Sequence, residues 1–87
     1  MSEPKSTLKM HFVGEQVAAA RKLLKMSQIE LAAATGLTTR TIIKFEGGGN
    51  VRPETVEAIR EVLVGRGIVF TNGGEPGVKL RQMDLAD

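Results

Sequence analysis

The sequence predicts a small, mainly α-helical domain that ends in a β-hairpin. Three observations support this fold class. Apolar residues recur at helical spacing through the middle of the chain, capping and breaking residues stand where four helices would begin and end, and apolar and polar residues alternate in the tail. A length of 87 residues is enough for one domain with one hydrophobic core.

The first helix is expected to begin at Gly14. Val17, Ala20 and Leu24 recur at i, i+3 and i+7, which places them on one face of a helix. The preceding residues 1–13 form a polar leader, in which residues 8–13 suit a short strand.

The second helix is expected over residues 28–35, between two clear signals. Ser27 and Glu30 form a capping box, because the serine oxygen can accept from the backbone N–H of residue 30 while the glutamate reaches back to the backbone of residue 27. Gly36 ends the helix, since glycine readily adopts the left-handed conformation found after a helix C-terminus.

The third and fourth helices have equally distinct ends. Thr38 is the expected N-cap of the third helix, Ile42 and Phe45 are its buried anchors, and the glycines at 47–49 end it. Pro53 suits the first turn of the fourth helix, where its missing N–H has no cost. The apolar face of the fourth helix consists of Val56, Ile59, Val62 and Leu63, and Gly65 and Gly67 end it.

The tail, residues 66–87, predicts a β-hairpin. Residues 68–70 (IVF) are β-prone, residues 72–77 (NGGEPG) are rich in turn formers, and Val78 and Leu80 alternate with charged residues. An isolated hairpin is marginally stable in water, so this one needs the helices, a third strand from the leader, or a second subunit to pack against.

Composition excludes several classes of function. The chain has no cysteine and a single histidine, which excludes disulfides and thiolate chemistry, and we expect neither a metal, a cofactor nor an enzymatic activity. Aromatic residues amount to 3%, too few for a platform that stacks single-stranded nucleic acid. Without cysteine, signal peptide or membrane span, the expected location is the cytoplasm.

The second and third helices predict a DNA-binding helix-turn-helix. Ala32 is small enough for two helices to cross closely, and Gly36 supplies the turn. The free face of the third helix then carries Thr39, Arg40 and Lys44. The net charge is only +2, but residues 36–53 carry three basic residues against one acidic residue, which suits either a small footprint on DNA or a solvated face of mixed charge.

Several short segments also occur together at fixed spacing. They are residues 27–32 (SQIELA), 36–38 (GLT), Ile42, residues 45–47 (FEG) and residues 52–53 (RP). In this combination residues 14–63 resemble the phage repressor and Cro-like, or XRE-like, helix-turn-helix regulators. The resemblance implies a lambda-repressor-like fold of four to five helices and a DNA-binding domain over residues 14–65.

The resemblance also implies roles for single residues. Gln28 matches a glutamine that contacts a phosphate and braces the recognition helix, Thr39, Arg40 and Lys44 match readers of base edges, and the loop that follows contacts the DNA backbone. Thr38 stands at the cap where serine is commoner. The implied DNA-binding set is Gln28, Thr38, Thr39, Arg40, Lys44, Asn50 and Arg52.

The resemblance also bears on the two halves of a partly buried ion pair and on one apolar residue of the third helix. Arg21 and Glu46 match an arginine of the first helix that pairs with the glutamate closing the third. Ile43 is apolar where an exposed residue is usual; it either packs beside the core, which we favour, or contacts a thymine methyl.

The predicted function is a DNA-binding transcriptional regulator, a repressor, that binds a double-stranded operator as a homodimer. The predicted dimerisation residues are the apolar residues of the tail: Ile68, Val69, Phe70, Val78 and Leu80. Two alternatives remain open. One is the antitoxin of a toxin–antitoxin pair, with a toxin as protein partner, and the other is a protein-interaction module that has lost DNA binding.

Overall fold

The computed structural model of the chain describes residues 14–71 and 76–81. Four helices come first: α1 (Gly14–Leu24), α2 (Gln28–Thr35), α3 (Thr39–Glu46) and α4 (Pro53–Gly65). Two antiparallel strands follow, β1 (Ile68–Thr71) and β2 (Gly77–Leu80). The predicted mainly helical fold with a C-terminal hairpin is confirmed. The predicted leader strand at residues 8–13 and most of the hairpin turn lie outside the described residues.

The predicted helix ends are formed by the hydrogen bonds expected of them. The Ser27 hydroxyl accepts from the backbone N–H of Glu30 at 2.9 Å, and the Glu30 carboxylate accepts from the backbone N–H of Ser27 at 2.8 Å. Thr38 caps α3 by accepting from the backbone N–H of Thr41 at 3.1 Å. These bonds satisfy backbone donors that a helix N-terminus otherwise leaves free.

The end of α1 differs from the others because no glycine stands there. Lys25 takes the left-handed conformation, with φ of 59°. Its N–H donates to the Lys22 carbonyl at 3.1 Å, and the Met26 N–H donates to the Arg21 carbonyl at 2.9 Å. This pair of bonds is the Schellman motif, which normally has glycine at the left-handed position.

The hydrophobic core is built by all four helices and the first strand. Its buried apolar side chains are Val17, Ala20, Met26, Leu31, Ala32, Ile42, Ile59, Leu63 and Ile68. Partly buried side chains pack around them, namely Leu24, Leu37, Phe45, Val56, Val62, Phe70 and Val78. The apolar faces predicted for the helices are therefore the faces that form the core. Among the described residues, no helix combines the length and apolar character needed to cross a membrane.

The hairpin packs against its own helices. Ile68 pairs with Leu80 and Phe70 pairs with Val78, so these four side chains share the face toward the helices. Ile68 is only 1% exposed, whereas Leu80 is 42% exposed. Val69 lies on the opposite face and is half-buried.

A buried glutamine fastens the hairpin to α1. The Gln16 amide nitrogen donates to the Thr71 carbonyl at 3.2 Å and to the Gly77 carbonyl at 2.8 Å, which lie opposite each other on the two strands. Gln16 is 4% exposed. The hairpin is thus held by a polar contact as well as by its apolar face.

Candidate nucleic-acid interface

The turn between α2 and α3 is compact because of two small residues. Ala32, on α2, is 4% exposed and belongs to the buried core. Gly36 has φ of 78°, a conformation that strains any residue with a Cβ. The N–H groups of Gly36 and Leu37 both donate to the Ala32 carbonyl, at 2.9 and 3.1 Å, and so turn the chain out of α2 and into α3.

α3 presents a separate polar face to solvent. Ile42 is fully buried and anchors the helix in the core. Successive residues of an α-helix are rotated by about 100°, which places Arg40, Ile43 and Lys44 on the sides away from Ile42. All three are exposed, and Thr39, at the edge of this face, is half-buried.

The position of α3 is fixed by a network around Glu46, its last residue. Arg21 on α1 donates from Nε to Glu46 Oε2 at 2.7 Å and from Nη2 to Oε1 at 2.9 Å. The third guanidinium nitrogen of Arg21 donates to the Met26 carbonyl in the α1–α2 turn at 3.0 Å. Gln28 on α2 donates from Nε2 to Glu46 Oε1 at 3.0 Å. One carboxylate therefore ties α3 to both α1 and α2.

This network is largely shielded from solvent. The side chains of Arg21 and Glu46 are 12% and 8% exposed. Hydrogen bonding to the Glu46 carboxylate raises the pKa of Arg21 above its ordinary value, although burial acts in the opposite direction. Within residues 36–53 Glu46 is the only acidic residue, and its charge is neutralised by Arg21.

The cations on α3 have no such partner. Neither Arg40 nor Lys44 forms an ion pair with any residue in the described parts of the chain, whereas Arg60 pairs with Glu57 on α4 at 2.8 Å. Their positive charges are therefore available to an external anion.

The loop after α3 adds a second basic element beside Lys44. An open groove of about 460 Å³ lies between α3 and the start of α4, lined by Thr41, Lys44, Asn50, Val51, Arg52 and Thr55. Arg52 stands 4.0 Å from Glu54, but both side chains are more than 70% exposed, at 79% and 73%, so this pair is weak. Cations, hydroxyls and an amide at the edge of a groove are the groups that proteins use to bind phosphates.

Two of the predicted DNA-binding residues have structural duties as well. Gln28 braces α3 through Glu46, and this bond uses one of the two hydrogens of its amide nitrogen. No acceptor for the second hydrogen is found among the described residues. The Thr38 hydroxyl is engaged by the backbone N–H and the hydroxyl of Thr41, at 3.1 and 3.0 Å, so its main role is to cap α3.

The favoured interpretation of Ile43 as a residue packed beside the core is wrong. Its side chain is 52% exposed. The reason is its rotation of about 100° from Ile42, which takes it past the edge of the core and onto the polar face.

Some contributors to this region were not recognisable in advance. Thr41 and Thr55 line the groove, but an isolated threonine in a helical segment carries no distinctive signal. Gln16 could have been suspected, because it stands four residues before Ala20 and so falls on the apolar face of α1. Nothing in the sequence around Lys25 marks it as a left-handed residue.

The comparison with protein families agrees with this geometry. The sequence model of a helix-turn-helix family matches residues 17–63, more than half of the chain. The match extends from α1 into α4 and includes the Glu46 network and the polar face of α3. A search of curated proteins finds no match. This chain belongs to the helix-turn-helix family of phage repressor and Cro-like regulators, whose members bind DNA.

Proposed function

We propose that this protein is a sequence-specific transcriptional repressor that binds double-stranded DNA and inserts α3 into the major groove. The observation that carries the proposal is the exposed face of α3, where Arg40 and Lys44 lack ion-pair partners among the described residues. An α-helix fits the major groove, and a guanidinium group can donate two hydrogen bonds to the edge of guanine. Arg40, in the first turn of α3, is the residue we assign to this contact.

Contacts to phosphates would hold α3 in register. The groove beside Lys44 offers Asn50 and Arg52 to one strand of the DNA, and Gln28 at the start of α2 offers an amide hydrogen. Such contacts position a protein on the duplex but carry no sequence information. Mutations in this group are therefore expected to weaken binding to all sequences alike.

A domain this small binds DNA tightly when two copies act together as a dimer. One helix-turn-helix covers a few base pairs, and two copies reach successive major grooves when they lie about 34 Å apart. We assign the contact between subunits to the hairpin, where Leu80 and Val69 keep accessible surface. Ile68 is 1% exposed within its own subunit, and we therefore assign it to the core and not to this contact.

Repression is the mode of regulation that these features support. A repressor needs only to cover the DNA that another protein must reach. The basic surface around α3 serves this purpose directly, whereas activation requires an additional surface for the transcription machinery.

Selection of binding sites from random duplex DNA tests the proposal. The wild type is expected to enrich one motif with two half-sites. Arg40→Ala is expected to relax the preference at one base pair of each half-site and to weaken binding by about 1–3 kcal/mol. Arg66→Ala is the matched control, since Arg66 is also exposed but lies after α4.

Two results would contradict the proposal. The first is that no motif is enriched, and the second is that Arg40→Ala selects the same motif with the same preference as the wild type. Transcription in vitro from a promoter that contains the motif then tests the sign of regulation. We expect transcription to fall when the protein is added, and a rise would contradict repression.

A further inference from the structure

We propose that Ile43 contacts the C5-methyl group of a thymine, so that each half-site contains an A·T pair beside the base pair that Arg40 contacts. The inference rests on the proposed function and adds a specificity-determining residue to it.

The exposure of Ile43 is notable because of its place on the molecule. Single exposed apolar residues are common on protein surfaces, so 52% exposure alone has little meaning. Within residues 14–71 and 76–81, the other large apolar residues with similar exposure are Leu23, Ile29, Val64 and Leu80, and none of these lies on α3. Ile43 alone among them lies on the helix face that we assign to the major groove.

The position of Ile43 relative to Arg40 suits contact with an adjacent base pair. Ile43 follows Arg40 by three residues, which is a rotation of about 300° around the helix axis and a rise of about 4.5 Å along it. Base pairs are separated by about 3.4 Å. When Arg40 reaches one base edge, Ile43 lies about 60° to one side of it, toward a neighbouring base pair, and Lys44 lies about 40° to the other side.

The chemistry of the side chain then selects the base. Ile43 has no hydrogen-bonding group, and the C5-methyl of thymine is the only apolar group among those that distinguish base pairs in the major groove. The hydrogen-bond donors and acceptors of other bases would lose their bound water on contact with isoleucine. They would gain no hydrogen-bond partner in exchange, which is unfavourable. Contact with a methyl group instead buries apolar surface on both sides.

Replacement of thymine by deoxyuridine gives a direct test, because it removes the methyl group and leaves the hydrogen-bonding groups unchanged. Each thymine of the selected duplex is replaced in turn. At one position in each half-site, the wild type is expected to bind the deoxyuridine duplex about fourfold more weakly, the effect of one buried methyl group. Ile43→Ala is expected to bind the two duplexes equally.

Ile29→Ala is the matched control, since Ile29 is 69% exposed and lies on α2. This variant is expected to keep the wild-type discrimination. Ile43→Ala should unfold at the wild-type temperature, because the residue it replaces is outside the core.

The proposal is overturned if the wild type does not discriminate at any thymine, or if Ile43→Ala keeps the fourfold difference. In both cases selective binding of the wild type to its motif would still support the proposed function. Failure of the wild type to enrich any motif would overturn the proposed function and this inference together.

Discussion

Arg21 and Glu46 join the first helix to the end of the third through two parallel hydrogen bonds of 2.7 and 2.9 Å. The residues are 25 positions apart in the sequence and both side chains are largely buried. The planar guanidinium group matches the two carboxylate oxygens, which is the strongest geometry for such a pair. Gln28 donates to the same carboxylate, so the orientation of α3 depends on this one group.

The first prediction is that loss of one partner of this pair is strongly destabilising. Arg21→Ala would leave the Glu46 carboxylate buried without its cation, and we expect the free energy of unfolding to fall by about 3–5 kcal/mol. The double substitution Arg21→Met with Glu46→Leu should cost much less, because no charge is left behind. Urea denaturation measures both effects.

The exposed pair of Arg60 and Glu57 provides the control. Arg60→Ala also breaks an arginine–glutamate contact of 2.8 Å, but on the solvent-facing side of α4, and should change stability little. If Arg21→Ala were as mild as Arg60→Ala, the Arg21–Glu46 pair would not hold α3 in place.

The second prediction concerns the left-handed residue at the end of α1. Lys25→Gly should stabilise the fold by about 1 kcal/mol, because glycine adopts positive φ without steric strain. For a domain of this size we expect the unfolding temperature to rise by about 4–8 °C. Gly36→Ala, at the matching position after α2, should have the opposite effect. Stabilisation by Gly36→Ala, or destabilisation by Lys25→Gly, would show that the helix ends are not governed by these conformations.

The third prediction is that Gln16 holds the hairpin on the helices. Gln16→Ala removes a buried donor from the carbonyls of Thr71 and Gly77, with an expected cost of about 1–3 kcal/mol. In this variant, amide hydrogen exchange should accelerate more in β1 than in α2 and α3. Glu15→Ala changes the exposed neighbour on the same helix and should leave exchange unaltered. If Gln16→Ala exchanged its amide hydrogens at the wild-type rates in β1 as well as in the helices, the assignment would be contradicted.

The fold could be predicted closely because local and long-range signals agree in this sequence. The capping box at Ser27 and Glu30, the glycine after α2 and the proline at the start of α4 each appear where the apolar periodicity changes. The pairing of Arg21 with Glu46 could be anticipated only through resemblance, since nothing local links residues so far apart. The prediction for Ile43 is wrong because two adjacent apolar residues suggest a wider core, whereas the orientation of the packed helix decides which of the two is buried.

The limits of sequence reasoning are clearer in the hairpin. Three consecutive apolar residues at 68–70 suggest a strand with both faces covered. The structure covers one face with the helices of the same chain and leaves Val69 on the other. The register of the two strands and the Gln16 contacts decide which face of the hairpin packs on the helices. Neither can be predicted from the local pattern of apolar residues.

The fourth prediction is that the hairpin joins two subunits. Complete removal of the tail is a poor test, because Ile68 belongs to the core of its own subunit. Val69→Asp and Leu80→Asp change the two apolar strand residues that neither belong to the core nor pack against it. Each substitution should convert a dimer to a monomer in sedimentation velocity. Val64→Asp is the control, since Val64 is 44% exposed on α4. A wild type that is monomeric throughout, or hairpin variants that stay dimeric, would contradict this contact.

The central claim is that the basic surface of α3 and its following loop binds DNA, and the salt dependence of affinity for the selected duplex tests it most directly. Arg40, Lys44 and Arg52 bring three cations per subunit to the DNA, where the base-contacting Arg40 also displaces counterions. A dimer therefore releases counterions equivalent to about five to six neutralised phosphates. A plot of log affinity against log salt concentration should have a slope near −5, at about 0.9 per neutralised phosphate. Arg52→Ala should make the slope less negative by about 2 per dimer, because each subunit loses one contact. A wild-type slope near zero would contradict the claim, because it would mean that no counterions leave the DNA when the protein binds.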